Sequence, residues 1–157
     1  MKAVLLTIGK TDINAIATEI NTYIKRISYY LPFSMECIPD IKKVKNISES
    51  IQKQKEGEFI LSRLQPTDYV VLLDEGGMLL RSVEFAHYLE KKQNSIAKRI
   101  IFVIGGPYGF SEMVKSRANE KISLSKMTFT HQMVRLIFVE QLYRAMTILN
   151  NEPYHHN

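Results

Sequence analysis

The chain has no tryptophan, one cysteine, five prolines and seven glycines among its 157 residues. A single cysteine, Cys37, excludes an internal disulfide framework and a cysteine cluster for zinc. Its ordinary place would be as a small apolar residue in the core. Proline and glycine are too scarce for a collagenous or low-complexity chain, and there is no internal repeat. No apolar run approaches the ~20 residues that cross a bilayer. The N-terminal run Ala3 to Ile8 is also too short for a signal peptide, and no small-residue cleavage site follows it. The expectation is a cytoplasmic protein with no membrane partner. What is present is a globular composition, 45% hydrophobic and 24% charged. This length fits one domain over residues 1–157, able to bury roughly two thirds of its unfolded surface. Charge is uneven: residues 1–80 hold 10 Lys/Arg and 10 Asp/Glu, residues 81–157 hold 11 and 6, so the whole excess of +5 lies in the second half. Such an excess favours a polyanionic partner without identifying one.

Periodicity gives the organisation. Ala3 to Ile8 reads as a strand. Ile13 to Leu31 follows as a helix, with apolar residues at Ile13, Ile16, Ala17, Ile20, Ile24 and Ile27. Phe33 to Ile38 is a second strand, and Pro39-Asp40 opens a basic loop with Lys42, Lys43 and Lys45. Ser48 caps a helix to about Leu64. Tyr69 to Asp74 is a near-continuous apolar strand of the kind buried on both faces, ended by Glu75-Gly76-Gly77. Ser82 caps a helix through Gln93, Arg99 to Ile104 is the next strand, Ser111 caps a short helix, and Ile122 to Lys126 is a brief strand. Thr130 begins a helix to about Leu149 with Met133, Val134, Ile137, Phe138, Leu142 and Met146 on its apolar face. Alternating strands and helices predict an α/β fold around a mainly parallel sheet of about five strands with flanking helices. In open sheets of this kind ligands bind beyond the carboxyl ends of the strands. Three such ends carry Leu73 to Gly77, Ile104-Gly105-Gly106 and Leu124-Ser125-Lys126.

Each motif has a plain reading beside a functional one. Gly105-Gly106-Pro107-Tyr108-Gly109 is not the dinucleotide glycine pattern: its spacing is wrong, and Pro107 removes a backbone donor. Its glycines admit a flat ligand such as adenine, and an ordinary tight turn uses them equally. Leu124 to Phe129 serves as a connecting loop or as a ligand wall. Leu73 alone would be core. His131 opens the last helix, with Arg135 one turn on and Arg144 read as returning close to that face. These are solubilising residues or phosphate ligands. The tail Pro153-Tyr154-His155-His156-Asn157 would ordinarily fray. Two histidines without carboxylate or cysteine partners make a poor metal site, so no metal is expected.

Taken together, Arg99 to Phe110, Ile122 to Arg135 and the Pro-Tyr-His tail resemble the RlmH family of the SPOUT class, ribosomal RNA methyltransferases that use S-adenosylmethionine. The resemblance runs nearly the full length and is strongest in Ile104 to Gly109, Leu124 to Arg135 and Asn151 to His155. It implies a trefoil knot around residues 73 to 129 and methylation of N3 of a pseudouridine in the helix-69 loop of 23S ribosomal RNA, on the assembled ribosome. It implies a cofactor wall of Leu73, Gly105, Leu124, Ser125, Lys126, Met127, Thr128 and Phe129. Arg135, Arg144 and Tyr154 would hold RNA, with Tyr154 offering a stacking face. Tyr154 and Arg144 would also act with His155 as proton acceptor, and His131 stands second for that role. A homodimer is implied, in which the tail and Arg144 of one subunit complete the site of the other. Relatives often carry basic residues where Gly76 and Met78 stand, with Arg81 as a substitute here, and their tails commonly end His-Arg or His-Lys where His156 follows His155. Two rivals share parts of this pattern: a non-catalytic ribosome-associated RNA-binding protein, and a SPOUT methyltransferase acting on transfer RNA, which would not need the tail.

Overall fold

A computed structural model describes residues 1–41, 47–96 and 98–157; Lys42, Lys43 and Lys45 of the expected basic loop lie outside them. The elements are β1 Lys2–Ile8, α1 Asn14–Ile27, β2 Phe33–Ile38, α2 Glu49–Ser62, β3 Tyr69–Leu79, α3 Ser82–Ser95, β4 Arg99–Ile104, α4 Glu112–Arg117, β5 Glu120–Ser123 and α5 His131–Leu149. The strands form one sheet in the order β2-β1-β4-β3-β5, with every pair parallel.

Burial on both faces explains the unbroken apolar strands. Alternate residues serve alternate sides. Ala3, Leu5, Ile100 and Phe102 pack with Ile16 and Ile20 of α1, Phe85 and Leu89 of α3, and Phe138, Leu142 and Met146 of α5. Val4, Leu6, Ile101 and Val103 pack with Ile60 of α2 and Val114 of α4. Ser48, Ser111 and Thr130 each accept a backbone N–H from the first turn of the helix that follows, as their positions predict.

The structure departs from expectation in four places. Cys37 is exposed, not core. It lies on β2, the outer strand, where only β1 pairs with it, and its Sγ accepts from Thr7 Oγ1 at 3.4 Å. The strand β3 does not stop at Glu75-Gly76-Gly77 but resumes against β5 after a register shift between Leu73 and Met78. Gly77 permits that return, because a Cβ there would stand 2.6 Å from the backbone N and C of Ile122. The strand β5 ends at Ser123 rather than Lys126. Ser123 Oγ donates to the Ser125 carbonyl (2.9 Å) and Ser125 Oγ accepts from Met127 N–H (2.9 Å), closing a turn where strand was expected. Ser82 is not a cap. The N-cap of α3 is Arg81, whose N–H donates to Glu84 Oε2 at 2.6 Å, while Ser82 Oγ donates to Gln141 on α5 at 2.8 Å.

Candidate active site

The carboxyl ends of β3, β4 and β5 open on one cavity of about 660 Å³, well within the size range of small-molecule sites. Leu73, Gly105, Leu124, Ser125, Met127, Thr128 and Phe129 line it, and so does His131 from the first turn of α5. Lys126 is not on the wall; it is exposed on the outside of the same loop. Asp74, Glu75 and Gly106 also line the cavity, from strand ends the sequence singled out without giving these three a cofactor role, and so do Phe110 and Val134, which sequence reasoning missed as wall residues. The bulge in β3 exposes the two carboxylates at the rim. Asp74 Oδ1 accepts from Gly76 N–H at 2.7 Å, and Glu75 Oε1 accepts from Thr128 Oγ1 at 3.1 Å, tying the β3 loop to the β5 loop. Lipophilic walls with a few polar groups, two of them acidic, suit a flat aromatic ligand carrying positive charge.

Arg135 does not face this cavity or solvent. It is 1% exposed, and its guanidinium donates to the carbonyls of Ile8 (2.7 Å) and Gly9 (3.0 Å), to Thr11 Oγ1 (3.1 Å) and to His131 O (3.0 Å). Gln132 beside it takes Asp12 N–H at 2.8 Å and donates to Lys10 O at 3.1 Å. Together they pin the β1–α1 loop to α5, so Arg135 is committed inside the chain and has no donor directed at a phosphate. Nor does Arg144 share its face. Nine residues at 100° each bring a side chain to the opposite side of a helix, and Arg144 lies on the outer surface of α5 one turn beyond Glu140. Met133, expected on the apolar inner face, is 41% exposed on that outer surface. With Leu136, Ile137, Glu140 and Gln141 it lines a shallow groove against Glu19 and Tyr23 of α1.

The tail does not fray. Asn151, at φ 55°, turns the chain back, Glu152 N–H donates to Thr147 O at 2.9 Å, and the Glu152 carboxylate takes the Tyr30 hydroxyl at 2.7 Å. That bond, with burial and the carboxylate's charge behind it, pushes the Tyr30 hydroxyl up to about 12. Glu140 is the hub and was not anticipated. Its Oε1 accepts from Arg144 Nε (3.1 Å) and Nη2 (2.6 Å) and from Tyr154 Oη (3.1 Å), and Gln141 donates to Oε2 (2.9 Å). Burial first, then Tyr23 and Glu140, hold the Tyr154 hydroxyl above its ordinary range. One side of the Tyr154 ring carries the Arg144 guanidinium, 4.8 Å from the centroid, and the Tyr143 ring meets it in a T-shaped contact, so one of its two faces is already occupied in this chain. His155 Nδ1 lies 3.2 Å from Arg144 Nη1 and Nε2 lies 2.9 Å from Asn157 Oδ1. Since Arg only donates, Nδ1 accepts and Nε2 carries the proton.

The family model described as predicted SPOUT methyltransferase matches residues 1–155. The chain belongs to the SPOUT methyltransferase family. Within that family it is 64% identical over 156 residues to Ribosomal RNA large subunit methyltransferase H of Parabacteroides distasonis, spanning 99% of both chains. It is 60% identical over 156 residues to the proteins of that name from Bacteroides thetaiotaomicron and Flavobacterium johnsoniae, again over 99% of each. These relatives place it in the RlmH branch. A solved structure, that of a probable methylase family protein from Haemophilus influenzae Rd KW20, superposes with a TM-score of 0.50 at 13% identity. It covers 95% of this SPOUT chain and 66% of that one, and bears on the fold alone.

Proposed function

We propose that this chain transfers the methyl group of S-adenosylmethionine to N3 of a pseudouridine in the helix-69 loop of 23S ribosomal RNA, in the cytoplasm and on the assembled ribosome. The observation that carries this reading is the single cavity to which three strand-end loops contribute Leu73, Gly105 and Leu124 to Phe129. Apolar side chains and backbone suit the adenosine, and Asp74 and Glu75 complement a cationic ligand, so the residues present fit the cofactor. When bound, it supplies a methyl group already activated on a sulfonium. The chain's own residues then have to hold the two reactants in line, exclude water and take the N3 proton. No metal is required.

His155 is the proposed proton acceptor and His131, on the cavity wall, the second candidate. Within one chain they are far apart, since Arg144 and the tail docked on it lie thirteen residues beyond His131, about 20 Å along a helix. A tail cannot serve its own cavity from there, which supports a homodimer in which each tail, with Arg144 and Tyr154, completes the other copy's site. The half-exposed groove of Met133, Leu136 and Ile137, running along α5 from cavity to tail, supports pairing on this face. Arg144 would bind an RNA phosphate through Nη1, and in leaving His155 it would free Nδ1 to receive the proton. Arg135 has no part in RNA binding in this reading. The trefoil knot around residues 73 to 129 is retained as part of it.

The test is to incubate unmodified ribosomes with the protein and isotope-labelled S-adenosylmethionine and analyse the nucleosides by mass spectrometry. Labelled N3-methylpseudouridine is the expected product. Label in another nucleoside, or in transfer RNA offered alongside, overturns the target, and tight ribosome binding without label favours the non-catalytic rival.

A further inference from the structure

The strongest unexplained group lies outside the cavity and directly behind its wall. Glu56 on α2 is 2% exposed. Its Oε1 accepts from Gln52 Nε2 at 3.1 Å, and its Oε2 has no hydrogen-bond partner among the described residues. Buried polar groups are ordinarily satisfied, and the exceptions cluster where a chain gives up stability for function. The carboxyl is pressed against the backbone of Gly106, which lines the cavity on its other side. A Cβ at Gly106 would stand 2.6 Å from Oε1 and 2.7 Å from Cδ of Glu56. The next residue, Gly57, makes a second close approach, where a Cβ would fall on Ser111 Oγ and 3.1 Å from Ser111 Cβ. Glycine inside a helix is unfavourable, and here it allows α2 to dock on the far end of the same turn. Two consecutive residues of one helix therefore hold the chain at Gly106 and at Ser111, on either side of the turn that runs through Phe110.

We propose that Glu56 is a positioning residue: with Gly57 it brackets the turn Gly105–Phe110 from behind and so fixes the cavity wall that receives the adenosine or methionine part of the ligand. Burial favours the uncharged carboxyl, the Gln52 bond opposing this and nearby Asp40 reinforcing it. Glu56 thus acts by shape, without contacting ligand or reacting atoms. The identity of the ligand rests on the function proposed above; the bracket itself does not.

The two are separated by measuring amide hydrogen exchange at residues 105–110 in the ligand-free protein together with the calorimetric Kd for S-adenosylmethionine. In Glu56→Ala, exchange in the turn should rise about tenfold and Kd about tenfold, while α5 amides and the unfolding midpoint stay at wild-type values. A residue that merely held the fold together would lower the midpoint instead. Glu56→Gln keeps the shape and should remain within about threefold of wild type in both readouts. Gly106→Ala should weaken binding strongly, and adding Glu56→Ala should recover about tenfold of that loss, because the two changes relieve each other. Wild-type exchange rates in Glu56→Ala, or effects of the two substitutions that simply add, would overturn the bracket. Faster exchange in a chain whose wild type binds no S-adenosylmethionine would support the bracket and refute the proposed methyl donor.

Discussion

Arg135 shows how far a residue's type can mislead about its task. A full positive charge sits at 1% exposure because the carbonyls of Ile8 and Gly9 and the hydroxyl of Thr11 surround its planar fork. Lysine could not span these acceptors from a single nitrogen. Replacing Arg135 with Met should leave them buried and unpaired, costing about 3 kcal/mol in urea unfolding, while Arg135→Lys should recover only part of that. Ribosome affinity, compared at equal folded fraction, should not change. A stable Arg135→Met chain with lost affinity would return this residue to the RNA surface. The sequence shows an arginine one turn after His131; burial, which decides its role, depends on the end of β1 and the β1–α1 loop folding back from 124 to 127 residues away.

At the scale of elements, what was legible follows from local rules. The apolar periods of β1, β2 and β4, that of α5 apart from Met133, and the caps Ser48, Ser111 and Thr130 depend on neighbours within a few residues and could be read from the chain. The bulge in β3 could not, since Glu75-Gly76-Gly77 reads as a terminator and only the approach to Ile122 makes the strand resume. The cavity's loops were legible as strand ends, but Asp74 and Glu75 reach the rim only through that bulge. The tail's docking was likewise hidden, because Glu140 is one carboxylate on a mixed helix until Arg144, Gln141 and Tyr154 converge on it. Glu140→Ala should release the tail: proteolytic cleavage after Tyr154 should become faster and methyl transfer should fall about tenfold or more, with the Kd for S-adenosylmethionine unchanged. Loss of cofactor affinity in this variant would contradict the separation of tail from cavity within one chain.

For the molecule as a whole, two carboxylates held below their ordinary range predict the acid limit. Asp68 is buried, which alone would raise its carboxyl, but hydrogen bonds from Arg99 and from Gln65 N–H, with Arg99 and Arg117 charge nearby, outweigh this and hold it low. Glu120 is lowered in the same way, burial being overcome by Tyr88, Lys92 and Tyr69. A folded-state value below the unfolded one, about 3.9 for Asp, means the contribution is complete above that pH and is lost as pH falls through the folded value. The urea midpoint should therefore hold down to about pH 4 and drop below it, and Asp68→Asn should reduce that drop while lowering the midpoint at pH 7. In the function proposed above, catalysis belongs to a larger unit than one chain, because the cavity lies at one end of α5 and the docked tail at the other. The direct test mixes two inactive chains, one carrying Gly105→Val, whose Cβ would stand 2.9 Å from the Phe110 ring and so distort the cavity wall, the other lacking residues 154–157. Each alone should give no labelled N3-methylpseudouridine on ribosomes. Mixed and allowed to exchange subunits, they should give label from the one site that combines an intact cavity with an intact tail. Activity in the chain lacking its tail, or no label from the mixture when both variants are folded and exchanging, would contradict a site shared between two copies.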